Sequence, residues 1–144
     1  MKVIKYTFIF SVALIFFTTC LEDPITITGC NNSDHAVRFT TSRSSFSEPN
    51  LFPGGLSYLV KKRECRVIGD IFKENHDIIR VFTLDADTFR AYSWQELREG
   101  NKILQCYVLS WKDIEQLNYT IPYPPTEAMK DMEIYPPYGE DKKD

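Results

Sequence analysis

Apolar and polar residues alternate from Pro24 to Cys30 (Pro-Ile-Thr-Ile-Thr-Gly-Cys), the period of a strand with one buried face. Asn31-Asn32-Ser33-Asp34 follows as a dense turn signal, because these side chains bond to nearby backbone and tolerate left-handed conformations. Ala36 to Thr41 resumes strand-type residues, so the two runs are expected to form a hairpin. Ser42 to Asn50 is a polar loop, and the turn Pro53-Gly54-Gly55 launches Leu56 to Val60 as another strand. Ile68 to Asn75 is expected to form a short helix. Ile78 to Leu84, crowded with Ile, Val, Phe and Thr, is the clearest strand, and Lys102 to Leu109 reads as another.

Ser93-Trp94-Gln95-Glu96 and Ser110-Trp111-Lys112-Asp113 have the form of capping boxes. In each, the serine accepts from the amide three residues on and the acid reaches back, so short helices should begin there. Trp94 and Trp111 are then expected to pack against a sheet. Tyr119 to Tyr123 reads as a last strand, which Pro122 confines to an edge or an end. Thr126 to Met132 is expected to make one helical turn between prolines. The pattern predicts a mainly β (α+β) fold, a single antiparallel β domain with two or three short helices, a sandwich being one way to build it.

The start of the chain has a different character. Lys2 and Lys5 precede an almost unbroken apolar run from Tyr6 to Phe17. A membrane span needs roughly 20 apolar residues, whereas about 7–15 behind a positive start is the pattern of a secretory signal peptide. Phe17-Thr18-Thr19-Cys20 resembles a relaxed lipobox, with Phe17 in place of an aliphatic residue and Thr19 in place of Gly, Ala or Ser. A thiol at the new N-terminus can take up diacylglycerol as a thioether. Residues 1–19 are therefore expected to be a lipoprotein signal peptide, 20–24 a tether lipidated at Cys20, 25–139 one globular domain and 140–144 a disordered charged tail. An ordinary secreted protein cut nearby, or an uncleaved anchor, is the alternative. Leu21-Glu22-Asp23 looks like the acidic cluster of some surface-exported lipoproteins, so the expected location is the cell envelope, anchored at the outer membrane.

Composition narrows the partners. Of 144 residues, 43% are hydrophobic and 14% aromatic, enough to build a core. Removing Lys2 and Lys5 from the 17 basic residues leaves 15 against 20 acidic ones, a net charge of about −5. Nucleic acid is disfavoured, since phosphate backbones are held mainly by Lys and Arg. The single basic cluster, Lys61-Lys62-Arg63, is followed at once by Glu64 and reads as a solvated strand end.

Candidate chemistry is sparse. Cys30, Cys65 and Cys106 lack C-x-x-C spacing, and only His35 and His76 are further soft ligands, so no metal site or cofactor is expected. Three cysteines allow three single pairings, and the sequence does not choose among them. Cys30 and Cys106 lie in strand-like runs, where buried thiols are as reasonable as a bridge. Asp85 and Asp87 end an apolar strand as in haloacid-dehalogenase phosphotransferases, but Phe89 stands where that family has Thr or Val, and a helix cap is the simpler reading. His35 and His76 sit beside Asp34 and Asp77, an arrangement open to general-base work, yet in polar turns without a recognisable nucleophile. No G-x-S-x-G, H-E-x-x-H, P-loop or dinucleotide pattern occurs. Tyr119, Tyr123, Tyr135 and Tyr138, interleaved with Pro124-Pro125 and Pro136-Pro137, form a candidate binding strip, which equally suits wrapping the domain and closing its core.

Asn31-Asn32-Ser33-Asp34, Leu84-Asp85-Ala86-Asp87-Thr88, Tyr92-Ser93-Trp94, Lys102-Ile103-Leu104 and Leu117 to Pro125 together resemble a group of small uncharacterised lipoproteins of Bacteroidota-type bacteria. The resemblance covers most of the chain after the leader and implies location and fold, with no functional residues to carry over. The expected roles, in order, are a membrane-anchored lipoprotein binding a protein or glycan partner or serving structurally, a sugar- or peptide-binding accessory, and a small hydrolase.

Lipidation is directly testable. Intact-mass analysis and fatty-acid-analogue labelling in a producing bacterium should show an acylated chain beginning at Cys20, with label lost in Cys20→Ser. A soluble product with another N-terminus, unaffected by that substitution, would exclude the anchor.

Overall fold

In the computed structural model, which describes residues 23–42, 56–72 and 77–140, the strands sort into two sheets. In chain order the elements are β1 (Ile25–Asn31), β2 (Val37–Ser42), β3 (Ser57–Val60), β4 (Cys65–Ile71), β5 (Ile78–Asp85), α1 (Ala86–Ala91), α2 (Trp94–Glu99), β6 (Gln105–Ser110), α3 (Trp111–Gln116), β7 (Thr120–Tyr123), a 3-10 turn (Glu127–Met129) and β8 (Glu133–Tyr135). The smaller sheet has the order β4-β1-β7 and the larger β3-β2-β5-β6-β8. Every pair is antiparallel except β1 with β7, which run parallel. The fold is thus mostly β with three short helices among the described residues, as the pattern predicted.

The larger sheet is covered on both faces. Ile79 and Val81 of β5 and Tyr107 and Leu109 of β6 join Ile27, Ile68 and Ile121 of the smaller sheet, with Ile114 of α3, in the main core. On the opposite face Phe82, Leu84, Cys106 and Val108 pack under Leu97 of α2, with Phe89 and Trp94 against them. Double coverage is why Ile78–Asp85 reads as a continuous apolar run and not as an alternation. Trp94 and Trp111 each pack against one of these clusters.

Two features bring the sheets together. Gly29 of β1 lies so close to the larger sheet that a Cβ there would meet the Phe39 ring and the Ile68 side chain at 3.0 Å, so only glycine fits. Tyr107, wholly buried, donates its hydroxyl to the Pro122 carbonyl at 2.9 Å, a polar tie from one sheet to the other. Burial drives the Tyr107 hydroxyl well above its ordinary pKa, so it remains a donor.

The hairpin expected around Asn31 to Asp34 does not form: β1 and β2 belong to different sheets, and the turn is a bridge between them. The reason is the Asn31 side chain, fully buried at the end of β1. Its Nδ2 donates to the His35 carbonyl at 2.7 Å and to the Val60 carbonyl of β3 at 3.1 Å. Its Oδ1 accepts from the Ser33 amide at 3.0 Å and the Ser33 hydroxyl at 2.6 Å. The helix expected from Ile68 is also overturned, since Ile68–Ile71 belongs to β4. Apolar residues at 68, 71 and 72 mimic helical spacing, but β4 pairs with β1 from Ile25↔Ile71 to Cys30↔Cys65, with Ile68 bulged into the core. The remainder of that segment, Lys73 to His76, lies outside the described residues, as do the turn at Pro53 to Gly55, the leader, Cys20, and residues 141–144.

Both capping boxes are present, starting α2 and α3 one residue after Ser93 and Ser110. The strand expected from Lys102 begins only at Gln105, because the Lys102 amide donates back to the Leu97 carbonyl and closes α2. β8 was not anticipated; three residues between a helical turn and prolines carry too little pattern. The segment from Tyr119 to Tyr138 supplies an edge strand to each sheet and buries Ile121, Met129 and Ile134, so it closes the core. Cys30 and Cys65 form a disulfide across the β1–β4 ladder, and Cys106 is a buried free thiol pushed up to about 12 by desolvation.

Asn31→Ala should therefore destabilise the fold by about 2–4 kcal/mol, since two carbonyls and an amide lose partners at roughly 1–3 kcal/mol for each group left buried. The exposed neighbour Asn32→Ala should stay within about 0.5 kcal/mol. Urea unfolding of the two variants, compared at equal m-values, checks the difference.

Candidate functional site

The two Tyr-Pro-Pro segments end strands on different sheets and meet at one end of the molecule. β7 runs out at Tyr123 into Pro124-Pro125, and β8 at Tyr135 into Pro136-Pro137; the Tyr123-Pro124 and Tyr135-Pro136 bonds are both cis. Between them lies a groove of about 410 Å³, walled by these prolines with Tyr123, Tyr138 and Glu140 and floored by Leu104 and Gln105 at the start of β6. That volume falls within the roughly 300–1,000 Å³ of small-ligand pockets. Proline corners bring little side-chain entropy to lose when a ligand docks.

The floor is tied to the wall. Gln105 is only 5% exposed, and its Nε2 donates to the Pro136 carbonyl at 2.6 Å. The opposite wall hangs from the sheet bridge, where the Asn32 amide donates to the Tyr123 carbonyl at 2.7 Å. Burial and the carboxylate of Asp85 push the Tyr123 hydroxyl above its usual value, so at neutral pH it is a neutral phenol.

Of the four tyrosines picked from the sequence, the groove gathers Tyr123 and Tyr138. Tyr119 lies at the left-handed turn that ends α3, where its carbonyl accepts from the Thr28 amide at 2.9 Å. Tyr135 points its hydroxyl at Glu133 (3.0 Å), which holds the phenol pKa above its ordinary value. Neither lines the groove. Leu104 and Gln105 do, and the sequence presented them only as strand positions; a glutamine inside the apolar run Leu104 to Leu109 was the available signal.

The histidine reading also shifts. Asp34, its neighbour in sequence, pairs instead with Arg63 at 3.2 Å, while His35 Nε2 stands 4.0 Å from Asp85 Oδ2 and its ring meets Tyr123 edge-on at 6.2 Å. Asp85 is occupied as the N-cap of α1, its Oδ1 accepting from the amides of Asp87 (3.0 Å) and Thr88 (2.8 Å). Asp87, exposed, pairs with Arg90 and caps nothing. His76 is outside the described residues. The basic cluster Lys61 to Arg63 is an exposed turn between β3 and β4, as expected. Among the described residues no group of three or more His, Cys, Asp or Glu could hold a metal ion, and no helix is long and apolar enough to cross a membrane. Compared with protein-family models, curated proteins and solved structures, the chain matches none.

Asp85 gives this end of the molecule its pH dependence. Burial raises its pKa, but hydrogen bonds from Thr88 and Asp87 and the charge of His35 outweigh that and leave it below 3.8. The fold therefore favours the carboxylate form. Its contribution is complete above the unfolded value and is lost as pH falls through the lowered folded one. Asp85→Ala should cost about 0.5–2 kcal/mol at pH 7 through the missing cap, and the gap to wild type should narrow below about pH 4. Melting curves from pH 7 to pH 3 measure both.

Proposed function

We propose that this chain is a lipid-anchored lipoprotein of the bacterial cell envelope, held at the outer membrane through Cys20, whose β domain engages an extracytoplasmic partner. The groove between the two Tyr-Pro-Pro corners carries the reading. It is the place where rigid apolar walls, a buried polar floor and exposed aromatic surface converge. The Cys30–Cys65 disulfide supports an oxidising compartment, in agreement with the signal-peptide pattern ahead of Cys20. An enzymatic role has less support, because Asp85, the acid nearest His35, is occupied in capping α1.

A photocrosslinking residue placed at Tyr138 of the full chain in living cells tests this reading. It should give discrete adducts that the same residue at Lys62, on the exposed β3–β4 turn, does not. Equal or absent crosslinking at the two positions would set the reading aside.

A further inference from the structure

Building on that reading of the groove, we propose that its occupant is a proline-rich peptide in the polyproline II conformation, with a lysine or arginine beside its prolines. The walls fit such a ligand. A polyproline II segment is ordered before it binds, and aromatic- and proline-lined grooves accept it because little freedom is lost on either side. Here four prolines and the rings of Tyr123 and Tyr138 make up most of the lining.

The floor supplies what such a backbone lacks. Polyproline II makes no internal hydrogen bonds, so its remaining N–H groups need acceptors from the partner. Gln105 uses its Nε2 on the Pro136 carbonyl, which fixes the amide, while its Oε1 accepts from no described residue. That carbonyl oxygen, on a side chain buried at the groove floor, is positioned to receive a peptide N–H.

Charge sets the flank. Glu140 is the single ionised residue in the lining, and no Lys or Arg stands with it, so an anionic ligand meets only repulsion and a cationic side chain finds a counter-charge. A neutral oligosaccharide would meet few directional groups besides Gln105, Glu140 and the two phenols. Proline walls stack on sugar rings less well than a flat aromatic pair.

Fluorescence anisotropy with the mature lipoprotein in detergent tests the assignment, using three labelled probes. These are a proline-rich peptide with two arginines, the same peptide with glutamates in their place, and chitotetraose. The basic peptide should bind in a salt-sensitive manner, about tenfold more tightly than the acidic one. Tyr138→Ala should weaken it by about tenfold or more. Glu140→Lys, a change at an exposed position, should remove or reverse the preference for arginine, while Lys62→Glu leaves it unchanged. Equal binding of both peptides, or preference for the acidic one, overturns the charge assignment, and binding of chitotetraose alone replaces the peptide by a glycan. If neither peptide binds while Tyr138 still crosslinks in cells, this proposal fails and the partner-binding reading stands; loss of both removes the reading itself.

Discussion

One carboxamide holds the two sheets in register. Asn31 sits at the end of β1 with no exposed surface, and its side chain reaches the β1–β2 connection and the end of β3 in the other sheet. A buried amide left unpaired costs on the order of the desolvation of each group, so this one is tolerated only where both donors and the acceptor are used. Once it is satisfied, the chain leaving β1 has no route back along its own strand. It crosses to the larger sheet as β2, and the neighbouring Asn32 amide fixes the Tyr123 carbonyl and hence the wall of the groove.

Packing then follows from how closely the sheets can approach. Gly29 removes the one Cβ that would meet Phe39 and Ile68, and Tyr107 ties its hydroxyl to Pro122 across the gap. The outer face of the larger sheet is closed separately by α1 and α2. The Phe89 and Trp94 rings meet edge to face there at 5.1 Å, with the Arg38 guanidinium over Phe89 at 4.5 Å. Such a three-layer arrangement keeps the central strands β5 and β6 dry on both sides and leaves exposure to the edges. The groove lies at two of those edges, where β7 and β8 give out into proline.

Covalent and electrostatic features concentrate at the same end. The disulfide joins Cys30, next to Asn31, to Cys65 at the start of β4, closing a loop that contains β2 and β3. Such a closure restrains the unfolded chain by about 3–4 kcal/mol in the loop-entropy account. Cys106, by contrast, lies under the helices with its thiol driven to about 12, which leaves it protonated and inert as a nucleophile at neutral pH.

The elements with local causes were legible in the residues. Serine with an acid three places on starts α2 and α3, the apolar run at Ile78 makes β5, Pro122 keeps β7 at an edge, and Asp85 caps a helix. The signal-peptide pattern before Cys20 is likewise written in the chain, although it lies outside the described residues. Sequence period, however, does not say which strand a strand pairs with. The helix-like spacing at Ile68 yields to pairing with β1, and a turn that reads as a hairpin becomes a bridge because Asn31 finds the Val60 carbonyl 29 residues away. The cysteine pairing was undecidable for the same reason, since it depends on which strands lie side by side. The tyrosines could be picked out by type alone, but only the tertiary structure separates Tyr123 and Tyr138 in the groove from Tyr119 and Tyr135 outside it. A side chain's neighbours across sheets are set by long-range packing, which no local pattern records.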